Sequence, residues 1–513
     1  MKRFVKRHND RIIGIIAGYD RVVFRGTLRS ISYVEGLEIF LRSRHVLNKD
    51  FGAFSERATR QLREHAREYA RRAGRPYLYQ ASSTASKQTL VQQIVQRDGV
   101  RQGLICVIAC VEPCRTFKIC GNRETKTVDL RSFDGKCEHV YFYFLDRDFG
   151  VMHVRLQTWF PFSIQICLNG REWLARQLDR ARIGYEKRDN CFTWIERVEQ
   201  AQRLLDRLWK RKWQRCLDAW ARRANCWLQT EDGRQLRGYY WSIRQQEFAT
   251  DVMFRDGPTL AEICPALQRH AIERFRSHEV LRFLGRRNPA RCQGEVCTRL
   301  SKRSEGVCIK HRVAENSIKM YDKEGSVLRI ETTINNPRWF RVRRRTKRQG
   351  QPCIAWLPMR KGIADIGRRA QVSRAANARY LDALSVVGET APCHRVLDPV
   401  TRPVHDQGRC YRPLRPIAPA DFGRLEPLQD ARFLLHGFRN GELFDHWEDL
   451  LADQDLTRKQ ISGRITRWLA LLRAHGLIYR LSGTYRYRLT KTGHQVVTIA
   501  ASVRQANSLA LAA

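Results

Sequence analysis

The feature that most constrains this chain is a run from Ser462 to Ile478, in which apolar residues recur at helical spacing and are then cut off by a glycine. Ile465, Trp468, Leu469, Leu471, Leu472 and Leu477 make one apolar stripe, which leaves Arg464, Arg467 and Arg473 on the remaining surface. Gly476 supplies the stop, because a helix ends readily where the next residue can turn left-handed. Two alternating runs follow, Ile478 to Leu481 and Tyr485 to Leu489, separated by Ser482, Gly483 and Thr484. They predict a hairpin with Arg480, Arg486 and Arg488 near its tip.

A basic amphipathic helix, a glycine stop and an arginine-tipped hairpin, in that order, resemble a winged-helix DNA-binding domain. The resemblance implies that residues 428–513 hold DNA, with the helix and the hairpin arginines as contacts. The same helix and hairpin would also serve to pack a small α/β domain. Charge points the same way as the resemblance. The chain has 94 Lys and Arg against 52 Asp and Glu, a formal net charge of +42. Arginine offers planar, bidentate contacts to phosphate and guanine, so a polyanion is the expected partner: DNA first, RNA second. The sequence leaves oligomeric assembly open. No apolar run reaches membrane-spanning length, so no membrane is expected. The basic start, Met1 to Asp10, is not followed by an apolar export segment, so a cytoplasmic, nucleoid-associated protein is expected. Its 16 cysteines are then expected to be reduced thiols, serving as core residues or metal ligands.

The length suits several cores, and the expected fold class is α+β multidomain: a mixed or antiparallel sheet body with helices, a helix-turn-helix segment and the terminal winged helix. Residues 1–197 form an α/β or α+β unit. Within it Arg11 to Leu28 read as two strands about Gly18, Tyr19 and Asp20, and Ser55 to Arg72 as a helix with a basic outer face. Residues 198–285 read as a helical connector, opened by one long helix from Val198 to Ala224 with Leu204, Leu205, Leu208, Trp209, Trp213, Leu217 and Trp220 on one side. Residues 286–350 combine a Cys-rich basic segment, a hairpin turning at Glu324 and Gly325, and the charge run Arg343, Arg344, Arg345. Residues 351–391 suit a helix-turn-helix, with a turn at Val372 and Ser373. Prolines make 392–427 a linker.

Three groups of residues carry candidate chemistry. Tyr321, Asp322 and Lys323, followed by Leu328, Arg329, Ile330 and Glu331, put a phenol, two acids and an amine on adjoining strands. Such a set suits metal-assisted phosphodiester cleavage, with tyrosine attacking phosphorus, carboxylates holding Mg or Mn, and lysine offsetting phosphate charge. TyrAspLys followed by LeuArgIleGlu resembles the replication initiators of rolling-circle plasmids and filamentous phages, which nick one strand and retain it on a tyrosine. The resemblance covers about fifteen residues. It implies Tyr321 or a neighbouring tyrosine as nucleophile, with Asp322 and Glu331 near the metal. The chain lacks the His-hydrophobic-His triplet many such proteins use. A plain hairpin whose lysine and acid pair across strands fits the same residues.

The second group starts at Asp20, a carboxylate after an apolar strand. Joined by Asp146, Asp148 or Glu331, it would give the kind of two-metal site that RNase H-like transposases build. The third is Cys292, Cys297, Cys308 and His311, whose spacing suits a structural zinc. The expected function is a nucleic-acid-binding protein of a mobile element, a DNA-nicking or strand-transferring initiator or transposase targeted by its C-terminal end. The alternatives are a non-catalytic winged-helix transcriptional regulator and a structured-RNA-binding protein.

Overall fold

In the computed structural model the described residues are 1–513 apart from 82–85, 123, 125–126, 287–295, 304–305, 349, 388–392, 407, 452–453, 455 and 507–513. The body is an α+β assembly organised on one large sheet. Its strands, in chain order, are β1 (Ile12–Thr27), β2 (Tyr77–Tyr79), β3 (Gly103–Asn122), β4 (Thr127–Asp146), β5 (Gly150–Gln157) and β6 (Ile164–Asn169). A small hairpin, β7 (Tyr185–Arg188) and β8 (Cys191–Ile195), precedes β9 (Tyr240–Phe254), β10 (Val296–Arg303), β11 (Gly306–Val313), β12 (Asn316–Lys323) and β13 (Val327–Thr333). The eleven-stranded order is β10-β11-β12-β13-β9-β1-β6-β5-β4-β3-β2. Neighbours are antiparallel except β2 beside β3.

This sheet crosses the boundaries expected from the sequence. The stretch expected to be a helical connector supplies β9, which pairs with β1 from Ile12↔Phe254 to Thr27↔Tyr240 and with β13 on its other side. The charge run and the segment after it form a second hairpin, β14 (Arg341–Arg348) with β15 (Gln351–Pro358), across the boundary at 350. The proposed strand pair at Arg11 to Leu28 is a single strand. Gly18, Tyr19 and Asp20 mark a β-bulge, where the register with β9 shifts between Tyr19 and Arg21.

Antiparallel strands alternate their side chains between two faces. On one face Phe142, Phe144, Val154, Leu156, Ile164, Ile166 and Leu168 form a core with the helices Phe51–Arg72, Gly170–Ala181, Val198–Asp206 and Trp213–Ala224. The long helix expected over Val198 to Ala224 is broken into two, with a tight turn at Leu208–Lys210 that turns Trp209 toward Tyr19 and Phe248. A second core joins β9 and β11–β13 to the helices Gly257–Arg274, Ser277–Phe283 and Ile366–Leu384 and to the C-terminal region.

The helix-turn-helix expected in 351–391 does not form among the described residues. Ile366–Leu384 is one unbroken helix through Val372 and Ser373. Ser373 is fully buried and accepts from the Gln246 amide, so it is a core contact rather than a cap. One turn on, Asn377 donates to the Phe248 and Ile330 carbonyls and to Thr250 Oγ1, and accepts from Thr332. The expected linker is also structured: Val396, Val400, Leu414 and Leu425 are buried, and β16 (Val404–Asp406) pairs with β17 (Arg409–Tyr411). Beyond it come the helices Ala431–His436, Asn440–Leu450 and Arg458–Ala474, then β18 (Ile478–Arg480), β19 (Tyr487–Leu489) and the helix Lys491–Gln505. Gly476 is left-handed, with φ 67°. Phe438 bridges to Tyr487 beside the β18–β19 pair. Among the described residues no helix is long and apolar enough to cross a membrane.

Glu279 joins the C-terminal region to the body. Burial first, and then the neighbouring Asp430, push its carboxyl up to about 8. A carboxyl that holds its proton more tightly folded than unfolded makes stability fall as pH rises, here from about 4.3, its unfolded value, to about 8. Glu279→Gln, which cannot ionise, is expected to flatten that loss and raise the melting temperature at pH 8, as a thermal scan at pH 5 and pH 8 would show; an unchanged pH dependence would contradict this.

Candidate active site on the sheet

The bulge at Asp20 turns an acid from β1 toward β9 and β13. Asp20 Oδ2 accepts from Arg329 Nη1 at 3.2 Å and Oδ1 from Asn190 Nδ2 at 2.6 Å. Arg329 also grips Asp251 through two bonds, Nε to Oδ1 at 2.6 Å and Nη2 to Oδ2 at 2.9 Å. Arg171, from the start of the Gly170–Ala181 helix, reaches the same Asp251 Oδ2 at 2.9 Å. Arg171, Asp251 and Arg329 are all within 1% of full burial. Burial works against the charge on Asp251, but the two guanidiniums prevail and hold its carboxyl below the ordinary range.

Beside this knot, carboxylate oxygens of Asp20, Glu247 and Glu331 lie within 4.8 Å of one another. Glu331 is almost fully buried and Glu247 half-buried. The β12–β13 register sets Lys319 opposite Glu331 and Tyr321 opposite Arg329, all on one face. Lys319 Nζ is 2.8 Å from Glu331 Oε1, and the Tyr321 hydroxyl donates to Glu331 Oε2 at 3.0 Å. Burial pushes the Glu331 carboxyl up to about 6; Lys319 opposes this, and Glu247 and Asp20 reinforce it. Burial, then the Glu331 charge, also raises the Tyr321 phenol, so it is neutral and hydrogen-bonded to a proton acceptor.

Strand alternation sorts the other expected residues. Asp322, next to Tyr321, faces the opposite side, with its Cβ near Gly306, so the expected pairing of Asp322 with Glu331 at one metal does not form. Lys323 is on the Tyr321 face, but its amine is 2.9 Å from Asp189 in the β7–β8 turn. Asp146 caps its own turn, accepting from the backbone of Asp148 and Phe149, and Asp148 pairs with Arg180 and Arg211. Neither joins Asp20.

The zinc set does not assemble among the described residues, and Cys292 lies outside them. His311 pairs with Thr298 across β10–β11, whereas Cys297 is opposite Arg312 on the other face. Cys308, three residues before His311, also faces away from it. The His311 ring is buried instead between Thr298 and Tyr380, at 2.9 and 3.2 Å.

The basic residues separate in the same way. Arg343 and Arg345 are exposed, while Arg344 points inward to Asp365 at 2.6 Å. Arg467, Arg473 and Arg480 are exposed; Arg464 is held by Gln454, and Arg486 by Glu442 and the Gly437 carbonyl. Arg488 is half-buried. Glu247, Asp251 and Arg171 escaped the sequence reading. Asp251 alone left a signal, a single charge inside the apolar end of β9.

Comparison with protein-family models, with curated proteins and with solved structures finds no match.

Arg329→Met is expected to destabilise the fold by about 3–5 kcal/mol, because it leaves Asp251 and Asp20 buried with one cation fewer. Urea unfolding measures this, and a loss below about 1 kcal/mol would show that the knot is not a structural tie.

Proposed function

We propose that this chain binds nucleic acid and nicks or transfers a DNA strand, using a divalent cation held by Asp20, Glu247 and Glu331 and Tyr321 as nucleophile. The observation that carries the reading is the convergence of three carboxylates beside a tyrosine hydrogen-bonded to one of them. Like charges this close are costly without a cation, and an all-oxygen donor set suits Mg or Mn rather than a softer metal. Such an ion would polarise a phosphate oxygen. Tyr321 Oη would form a bond to phosphorus as the bond to the departing sugar oxygen breaks; its proton passes to Glu331, and the sugar oxygen takes one from solvent. The charge of Lys319 lies beside the reacting centre.

Two surfaces support nucleic acid as the substrate. On β14 Arg341, Arg343, Arg345 and Lys347 are exposed, and across from Arg343 and Arg345 on β15 stand Trp356 and Ile354, 51% and 59% exposed. A two-stranded ribbon with cations and an aromatic on one face can hold backbone phosphates and stack a base. The C-terminal helices and hairpin occur in the order that a winged helix uses, with Arg467 and Arg473 exposed to meet a duplex and Arg480 exposed but bonded to the Thr484 carbonyl; on this reading they direct a mobile-element protein to its site.

Cleavage is tested with supercoiled and single-stranded DNA and Mg or Mn. Nicked product and a covalent protein–DNA adduct are expected; Tyr321→Phe should abolish the adduct, and Glu331→Gln should slow cutting on the order of 10²–10⁴-fold. If neither DNA form is cut, or Tyr321→Phe cuts normally, the catalytic assignment fails. Binding is tested separately: Trp356→Ala should weaken single-strand affinity by about 1–3 kcal/mol, and Arg343→Ala should lower the salt dependence by close to one counterion. Affinity unchanged in both variants would remove the ribbon from the interface.

One observation favours a second reading. Lys319 and Arg329 already offset charge on Glu331 and Asp20. In a non-catalytic regulator or RNA-binding protein the cluster would be a structural tie, and binding without cutting is the outcome that selects it.

A further inference from the structure

We infer that Cys114, Cys137 and His139 form a thiolate–imidazole site for a zinc-class divalent cation on the β3–β4 hairpin. The register Cys114↔Gly135, Glu112↔Cys137 and Cys110↔His139 puts all three side chains on one face. Their two sulfurs are 3.2 Å apart, and with a ring nitrogen of His139 they lie within 4.8 Å of one another.

His139 is fully buried. Its Nδ1 is 3.1 Å from the Cys137 carbonyl, while Nε2 is buried with no hydrogen-bond partner. An Nδ1–H that donates to a carbonyl fixes the tautomer whose Nε2 lone pair binds metals, an arrangement typical of histidine ligands. A buried nitrogen with an unused lone pair is costly as it stands, and a soft cation would satisfy it together with the two thiols beside the ring.

Geometry separates this site from a disulfide. Cys114 and Cys137 are diagonal neighbours rather than opposite ones. Diagonal Cα atoms are about 7–8 Å apart, beyond the roughly 6.8 Å that a disulfide spans. Two sulfurs on one tetrahedral zinc, each at about 2.3 Å, are about 3.8 Å apart, so a small opening of the pair admits the ion. Binding would release the proton of each thiol to solvent. Glu112, opposite Cys137, is occupied by Tyr141, Arg155 and Lys87, so the fourth position falls to water or to a ligand.

The test uses the full-length, reduced protein, dialysed with Zn(II) in magnesium-containing buffer. One zinc per chain is expected by elemental analysis, and Co(II) substitution should give a thiolate-to-cobalt charge-transfer band. Cys114→Ser and Cys137→Ser should each weaken zinc binding on the order of 100-fold or more. Cys297→Ser should leave it unchanged. Because His139→Gln removes a buried ring, its metal loss counts only if its circular dichroism matches the parent; the Cys114→Ser variant, at a half-buried position, keeps the test decisive if it does not. Zinc should also protect Cys114 and Cys137, but not Cys353, from alkylation read by mass spectrometry. Substoichiometric zinc in the parent, zinc retained by both serine variants, or a Cys114–Cys137 disulfide with no zinc uptake after reduction would each overturn the inference.

Discussion

Arg329 is the residue on which the rest of the structure depends. It rises from β13, takes both oxygens of Asp251 on β9 and reaches Asp20 on β1, so a single guanidinium ties three adjacent strands together. Burial of that charge is tolerable only in one register. A one-residue slip of any of the three strands would send its contribution to the opposite face and leave an unpaired ion in the core. Buried ion pairs are weak sources of net stability, but they discriminate sharply between the right pairing and its neighbours, and a sheet of this width has many wrong neighbours. The Arg171 contact extends the same discipline to a helix packed against the strands.

The short elements were legible wherever a local signal was complete. The helix at Arg458–Ala474, the glycine stop and the β18–β19 pair lie close to where periodicity put them, because capping, apolar stripe and turn residues agree. The hairpin turning at Glu324 and Gly325 was equally clear, and both residues are left-handed. What local signals do not carry is which strand meets which. β9 sits between β1 and β13, far apart in sequence, and alternating apolar residues look the same whoever the partner is.

The site was half legible for the same reason. Tyr321 and Glu331 share a hairpin, so their proximity follows from turn position and alternation. Asp20 joins them only through the bulge and through β9, which also brings Glu247. Alternation, applied strictly, would have separated Tyr321 from Asp322 in advance, and likewise Cys308 from His311, whereas Cys297 is set apart only by the β10–β11 register. The helix-turn-helix expected at Val372 and Ser373 failed because a serine inside a helix looks like a cap until its buried partner, Gln246, is known.

The pairing of β1 with β9 has a consequence for how the chain is made. Ile12 finds its partner at Phe254, so the first strand leaves the ribosome long before the strand that completes its pairing. At about 5–20 residues per second the wait is on the order of ten seconds or more, during which the apolar segment of Ile12 to Ala17 has an open edge. The folding problem of this protein is thus one of keeping a strand unpaired until its late partner arrives. The short basic helix Lys2–Arg7 just ahead of that strand provides like charge at the exposed end during the interval.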